Sequence, residues 1–278
     1  MKRCARAENT EQCFRWYSLN PRSIHLRGIL GGVLLVALLL SMSEKHIWRW
    51  DWQHGVHAWM NCHAVTAADG RQLEAWRWVE GREIRLYVPT TMSAYRAERI
   101  ADGMRRLVRE LQLSIAVTVL PITPRVSAAL QCNTATVQGQ PSINFDRFCR
   151  TLIATRDGHY AEMVIAPATL DGSADTLGEA YFSYGVAVMD ARSASGFLAR
   201  HETGHLLGYH LHDNWPFAVV GYSNPKEWAA ALRGHQADPP LMLPSLEGSH
   251  LSPRSRDALV SFWHSLERRT GESYFAAN

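Results

Sequence analysis

The chain has 278 residues, 46% of them hydrophobic and 20% charged, with 29 basic against 26 acidic side chains for a net charge of +3. That composition excludes a collagen-like, low-complexity or wholly disordered chain. The charge is slight and no basic stripe interleaved with aromatics runs through the body, which speaks against a nucleic-acid partner. One domain of about 150–230 residues plus an appendage fits this length.

Residues 28–43 read GILGGVLLVALLLSMS and carry no charge. As a helix they span about 24 Å, a little under the roughly 30 Å of a bilayer's hydrocarbon core. Upstream lie Lys2, Arg3, Arg6, Arg15, Arg22 and Arg27 against only Glu8 and Glu11. The positive-inside bias keeps residues 1–27 in the cytoplasm as a basic leader and sends the rest across. Residues 28–43 are therefore a transmembrane anchor or a cleaved signal. Ser41-Met42-Ser43 fits a small-x-small cleavage site loosely, but an Ala-x-Ala pattern is missing, which favours the anchor. The body is expected outside the cytoplasm, membrane-anchored, or secreted if the signal is cleaved.

Cys4 and Cys13 fall on the cytoplasmic side as free thiols. Cys132 and Cys149 bracket a turn-rich stretch and form the expected disulfide of the exported part, leaving Cys62 unpaired. The alternative is three free buried thiols. Six of the ten tryptophans lie between Trp48 and Trp78. Residues 44–82 thus read as a Trp-rich extension that packs on the body or sits at the membrane interface.

From Glu83 the patterning is regular. Residues 83–89 alternate as a strand. Residues 93–111 place Ile100, Met104, Leu107, Val108 and Leu111 at helical spacing. Residues 114–122 form a second strand closed by prolines, and 163–168 a third. Residues 180–190 form a fourth, with Gly178 and Gly185 as bulge positions. A helix follows over 195–210, capped by Ser193 or Ser195 and terminated near Gly208. Ser252-Pro253 opens a final helix running to about Arg269, with Leu259, Phe262, Trp263 and Leu266 on one face. This order predicts an α/β (α+β) domain, residues 83–278, with a mixed sheet and few helices rather than a doubly wound alternation.

Residues 201–213 read HETGHLLGYHLHD. His201 and His205, four apart, lie about 40° apart around a helix axis and one turn apart along it. Two imidazoles so placed converge on one tetrahedral ion. Glu202 is rotated about 100° from His201, so its carboxylate flanks the ion and can take a proton from a water held there. A chance His-Glu-x-x-His arises about 0.03 times in a chain of this composition. Gly208 ends the helix and permits a left-handed turn that swings the chain back under the ion. His212 is the expected third ligand, followed by Asp213 as its orienting partner, with His210 as the alternative.

The segment resembles the metzincin clan of zinc metallopeptidases, and within it the matrixin-like branch, whose helix motif is H-E-x-x-H-x-x-G-x-x-H. His201, Glu202, His205 and Gly208 match. The third histidine position holds Leu211, and the histidine comes one residue later, at His212. Downstream, residues 239–245 (PPLMLPS) resemble the matrixin Met-turn, with Met242 as the methionine beneath the metal. Residues 251–263 resemble the start of the helix that follows it. Only residues 195–263 match at the level of motifs. The resemblance implies a zinc cleft beside a mixed twisted sheet, with the edge strand before the zinc helix (here residues 178–189) pairing with extended substrate.

It also implies a Zn²⁺-dependent endopeptidase acting on peptide or protein substrates, with Glu202 as general base; the membrane is a partner through residues 28–43. Tyr209 and Tyr222 are candidates for a second acid, and Cys62 for a latency ligand. Two alternatives stand beside it. One is a thermolysin-like peptidase with Glu227 or Glu247 as third ligand; the other is a membrane-anchored binding module with a vestigial metal site.

Overall fold

The computed structural model describes residues 64–66, 72–172, 176–209 and 251–277. Its centre is a five-stranded sheet in the order β4-β3-β7-β10-β9. The strands are β3 (Glu83–Val88), β4 (Ala116–Pro121), β7 (Ala161–Ala166), β9 (Gly178–Tyr181) and β10 (Val186–Asp190). β4, β3, β7 and β10 run parallel, and β9 closes the edge antiparallel to β10. A smaller sheet joins β5 (Thr134–Val137), β6 (Gln140–Ile143) and β8 (Thr169–Leu170). β1 (Ala64–Thr66) and β2 (Gln72–Glu74) pair separately, ahead of a 3₁₀ helix at Ala75–Gly81.

The central strands are buried on both faces. β7 reads AEMVIA and β10 VAVMD, apolar runs with no polar alternation, and every residue in them is buried. Parallel strands covered by helices on both sides read this way. On one face Tyr87, Val164, Val186 and Val188 meet α2 (Pro124–Asn133) and α3 (Phe145–Ala154) through Val126, Phe148 and Leu152. The other face carries α1 (Ala94–Glu110) and α4 (Gly196–Leu206), which pack tightly on each other. Where they cross, a Cβ built on Gly103 would stand 2.1 Å from the Gly196 carbonyl oxygen. The two backbones are in contact there, and only glycines allow it.

Each long helix starts where its sequence provides a cap. Ser93, Ser195 and Ser252 accept from the amides of Arg96, Leu198 and Ser255. Such caps stabilise by about 1 kcal/mol each. The last helix, α5 (Pro253–Thr270), carries Pro at its start and ends on Gly271 in the left-handed region.

An aromatic cluster fastens α5 to the body. Trp78 stands edge-on to Phe182 (5.5 Å between centroids) and Trp263 (6.1 Å), and Phe262 edge-on to Phe182 (4.6 Å). The buried indoles find acceptors: Trp78 Nε1 donates to the Phe182 carbonyl (2.9 Å) and Trp263 Nε1 to that of Leu207 (3.0 Å). Trp78, from the Trp-rich stretch, is therefore a core residue of the body.

Four expectations need correction. Residues 180–190 are not one strand: a turn at 182–185, with Gly185 at φ +59°, folds them into an antiparallel hairpin. Gly178 is no bulge but sits in register opposite Met189. The stretch between Cys132 and Cys149 is not merely turn-rich, since it contains the end of α2, the β5–β6 hairpin and the start of α3. Cys149 is a free thiol, fully buried on α3, and Cys132 is disulfide-bonded elsewhere, so the two do not pair. Among the described residues no helix is long and apolar enough to cross a membrane. The run at 28–43 lies outside them, as do Cys4, Cys13 and Cys62.

Candidate active site

The His-Glu-x-x-His segment forms the C-terminal two turns of α4. This helix has no wet face along most of its length: Leu198 through Gly204 and Leu206 are all buried. A polar side chain in such a helix needs a partner or a purpose. Arg200 has an evident one, an ion pair with Glu110 that ties α4 to α1 beside His201. Thr203 donates back to the Ala199 carbonyl at 2.6 Å. His201 and Glu202, 2% and 3% exposed, are the remaining buried polar side chains.

The two histidine rings meet edge-on, with Nε2 atoms 3.1 Å apart, centroids 4.8 Å apart and planes at 75°. Two nitrogens on one tetrahedral zinc, each 2.0–2.1 Å from it, stand about 3.3 Å apart. The spacing therefore fits a shared ion. The other nitrogen of His205 supports that role. Its Nδ1 bonds the Tyr209 backbone carbonyl. A carbonyl only accepts, so Nδ1 carries the hydrogen and Nε2 presents its lone pair.

That carbonyl is in place because the helix ends as the sequence indicates. Gly208 adopts φ +112°; its amide donates to the His205 carbonyl and the Tyr209 amide to the Gly204 carbonyl, both at 3.0 Å. The chain turns back beneath His205. Phe262 fills the space a side chain on Gly208 would need, with ring carbons 2.7 Å from the position of a Cβ. Tyr209 is buried, and the contribution seen here is its backbone carbonyl.

Glu202 lies toward β9. A Cβ on Gly178 would fall 2.5 Å from its Oε1 and 2.7 Å from its Cδ, so the carboxyl occupies the space a side chain on the edge strand would take. Its Oε2 is buried with no hydrogen-bond partner among the described residues. Burial, with the charge of Glu179 added, raises this carboxyl to about 8. Glu179, next along β9, is itself raised to about 7 by burial and by Asp171. It lies with Tyr181 on the opposite sheet face, toward α3.

Of the residues expected at the site, the structure brings His201, Glu202, His205 and Gly208 together. His212, its alternative His210, and Met242, Tyr222, Glu227 and Glu247 lie outside the described residues. Among the described residues no group of three metal-binding side chains is assembled. Sequence reasoning did not identify Gly178 as a neighbour of Glu202. A glycine inside a strand pattern marks close approach as well as bulges, and that was the available signal.

No family model matches the chain and no curated protein matches it. Among solved structures it is similar to a zinc-dependent peptidase from Methanocorpusculum labreanum (strain Z) at 14% identity. That likeness covers 63% of this chain and 99% of the other, with a TM-score of 0.37.

Proposed function

We propose that this protein is a zinc-dependent endopeptidase of metzincin-like, matrixin-like type. The observation that carries the reading is the pair of Nε2 atoms 3.1 Å apart on one helix, one oriented through its Nδ1, with a buried carboxyl between that helix and the sheet edge. His201 and His205 would hold the ion, with His212 as the proposed third ligand and Met242 as the proposed Met-turn methionine. When bound, zinc supplies a Lewis acid and a water acidic enough for a carboxylate to deprotonate.

The protein's residues do the rest. Glu202 takes a proton at its carboxylate and returns it to the leaving amine as the amide bond breaks. The edge of β9 not paired with β10 is unoccupied by any strand among the described residues. An extended peptide adding there gains main-chain hydrogen bonds alongside the Glu202 carboxyl. The apolar run at 28–43 with its basic flank supports a tether that leaves this domain outside the cytoplasm.

The test is cleavage of an unfolded protein by the zinc-loaded chain. Wild type is expected to cleave, and Glu202→Ala to lose at least about 100-fold in rate while keeping its zinc. Equal rates in the two proteins refute the assignment.

A further inference from the structure

In β9, alternate residues point to opposite faces of the sheet. Glu179 and Tyr181 face α3, and Gly178 and Ala180 face α4. Position 178 is thus the point where the edge strand meets the helix that carries Glu202. The volume a Cβ would fill is already taken by three atoms of that side chain: Oε1 at 2.5 Å, Cδ at 2.7 Å and Cγ at 2.8 Å. No real Cβ tolerates contacts that close, so carboxyl and Cβ exclude each other. Gly178 lacks the positive φ that requires glycine at other positions; among the described residues Gly139, Gly172, Gly185, Gly208 and Gly271 are the glycines in that region. The backbone at 178 therefore accepts alanine, and a strand prefers it. What keeps glycine there is the space beside the backbone.

We propose that Gly178 is a positioning residue: the gap left by its missing side chain is the seat of the Glu202 carboxyl, and it sets that group against the strand to which substrate adds. The inference rests on the peptidase reading for its functional consequence, but the seat itself does not. A methyl group at 178 pushes the carboxyl out by about the 1 Å that separates these contacts from ordinary ones. All three atoms in the way belong to the Glu202 side chain and none to backbone, so Glu202 is the group that must move. Misplacement on that scale costs a catalytic group about 100-fold in rate. It leaves the backbone edge, and therefore substrate binding, largely as it was.

Two measurements on wild type, Gly178→Ala, Glu202→Ala and the double variant test this. The first needs no activity: thermal midpoints of the four proteins in chelator. In the Glu202→Ala background the seat is empty, so Gly178→Ala is expected to raise the midpoint. In wild type the same change is expected to raise it less, or lower it, with the two shifts differing by about 3 °C or more. Identical shifts in both backgrounds overturn the proposal. The double variant also shows that alanine at 178 folds, should the single one not.

The second is steady-state cleavage of a peptide by the zinc-loaded proteins. Gly178→Ala is expected to lower kcat about 100-fold with KM within about threefold of wild type and zinc bound one to one. A rise in KM at unchanged kcat, or loss of zinc, also overturns it. If wild type cleaves nothing, the peptidase reading fails while the thermal cycle still decides the seat.

Discussion

Glu202 is a carboxylate placed where a carboxylate is hard to keep charged. It is buried, one oxygen lacks a partner among the described residues, and Glu179 adds a second negative charge nearby. The group rises to about 8, so without metal it holds its proton at neutral pH. The linkage has a definite sign. The folded state binds a proton that the unfolded state releases near 4.5, so stability is full below that pH and is lost as pH rises to about 8. Thermal midpoints of the chelated protein are expected to fall across this window, with a shallower fall in Glu202→Gln. Glu179, raised to about 7, pulls in the same direction and keeps some slope. Equal slopes in both proteins, measured by calorimetry from pH 5 to 8, contradict the burial assigned to Glu202. At this scale the site was legible where its residues are local. His201, Glu202, His205 and Gly208 lie within eight positions, and helix geometry relates them directly. The Gly178 contact joins different elements, so no local pattern exposes it.

At the scale of elements, the end of α4 depends on α5. Gly208 turns the chain at φ +112° against Phe262, and Trp263 donates to the Leu207 carbonyl one residue before the turn. Gly208→Ala combines a backbone conformation that L-residues avoid with a collision against that ring. It is expected to destabilise by more than about 1 kcal/mol and to weaken zinc binding by displacing the Tyr209 carbonyl from His205. Trp263→Ala empties the aromatic cluster, at an expected cost of about 3–5 kcal/mol in denaturant unfolding. A loss under 1 kcal/mol contradicts the packing described.

The helices missed from the sequence are instructive. At Thr123-Pro124 a proline that ends a strand pattern also fits the start of a helix. Thr123 accepts from the Val126 amide and Pro124 occupies the first helical turn, so the same pair opens α2. In α3, Phe145, Phe148, Cys149, Leu152 and Ile153 are buried at helical spacing behind the cap Asn144. Cys149 belongs to that periodicity as a buried free thiol and not to a disulfide with Cys132.

Across the whole molecule, the sheet holds the site through charge as well as packing. Glu162, fully buried on β7, pairs with Arg125 of α2 and with Arg156, whose Nε lies 3.1 Å from Oε2. Arg156 also donates to the carbonyls of Tyr184 (3.0 Å) and Gly185 (3.2 Å), the turn between β9 and β10. One carboxylate thus links a helix, the sheet and the hairpin whose outer strand seats Glu202. Glu162→Ala leaves Arg156 buried without its carboxylate. It is expected to cost about 3–5 kcal/mol of stability, and chemical unfolding measures it. A mixed sheet was expected, and its composition follows from the apolar runs of β7 and β10. The strand order was not legible, because parallel neighbours far apart in sequence leave no mark in local pattern; the antiparallel edge was hidden because its turn, residues 182–185, carries Phe182 and Tyr184 and so continues the strand's aromatic and apolar run.

The proposed function rests on one ion shared by two imidazoles, and diffraction at the zinc absorption edge tests that most directly. Crystals of the zinc-loaded protein are expected to give a single anomalous peak 2.0–2.1 Å from Nε2 of both His201 and His205. Absence of such a peak, or a peak bonded to neither ring, contradicts the proposal.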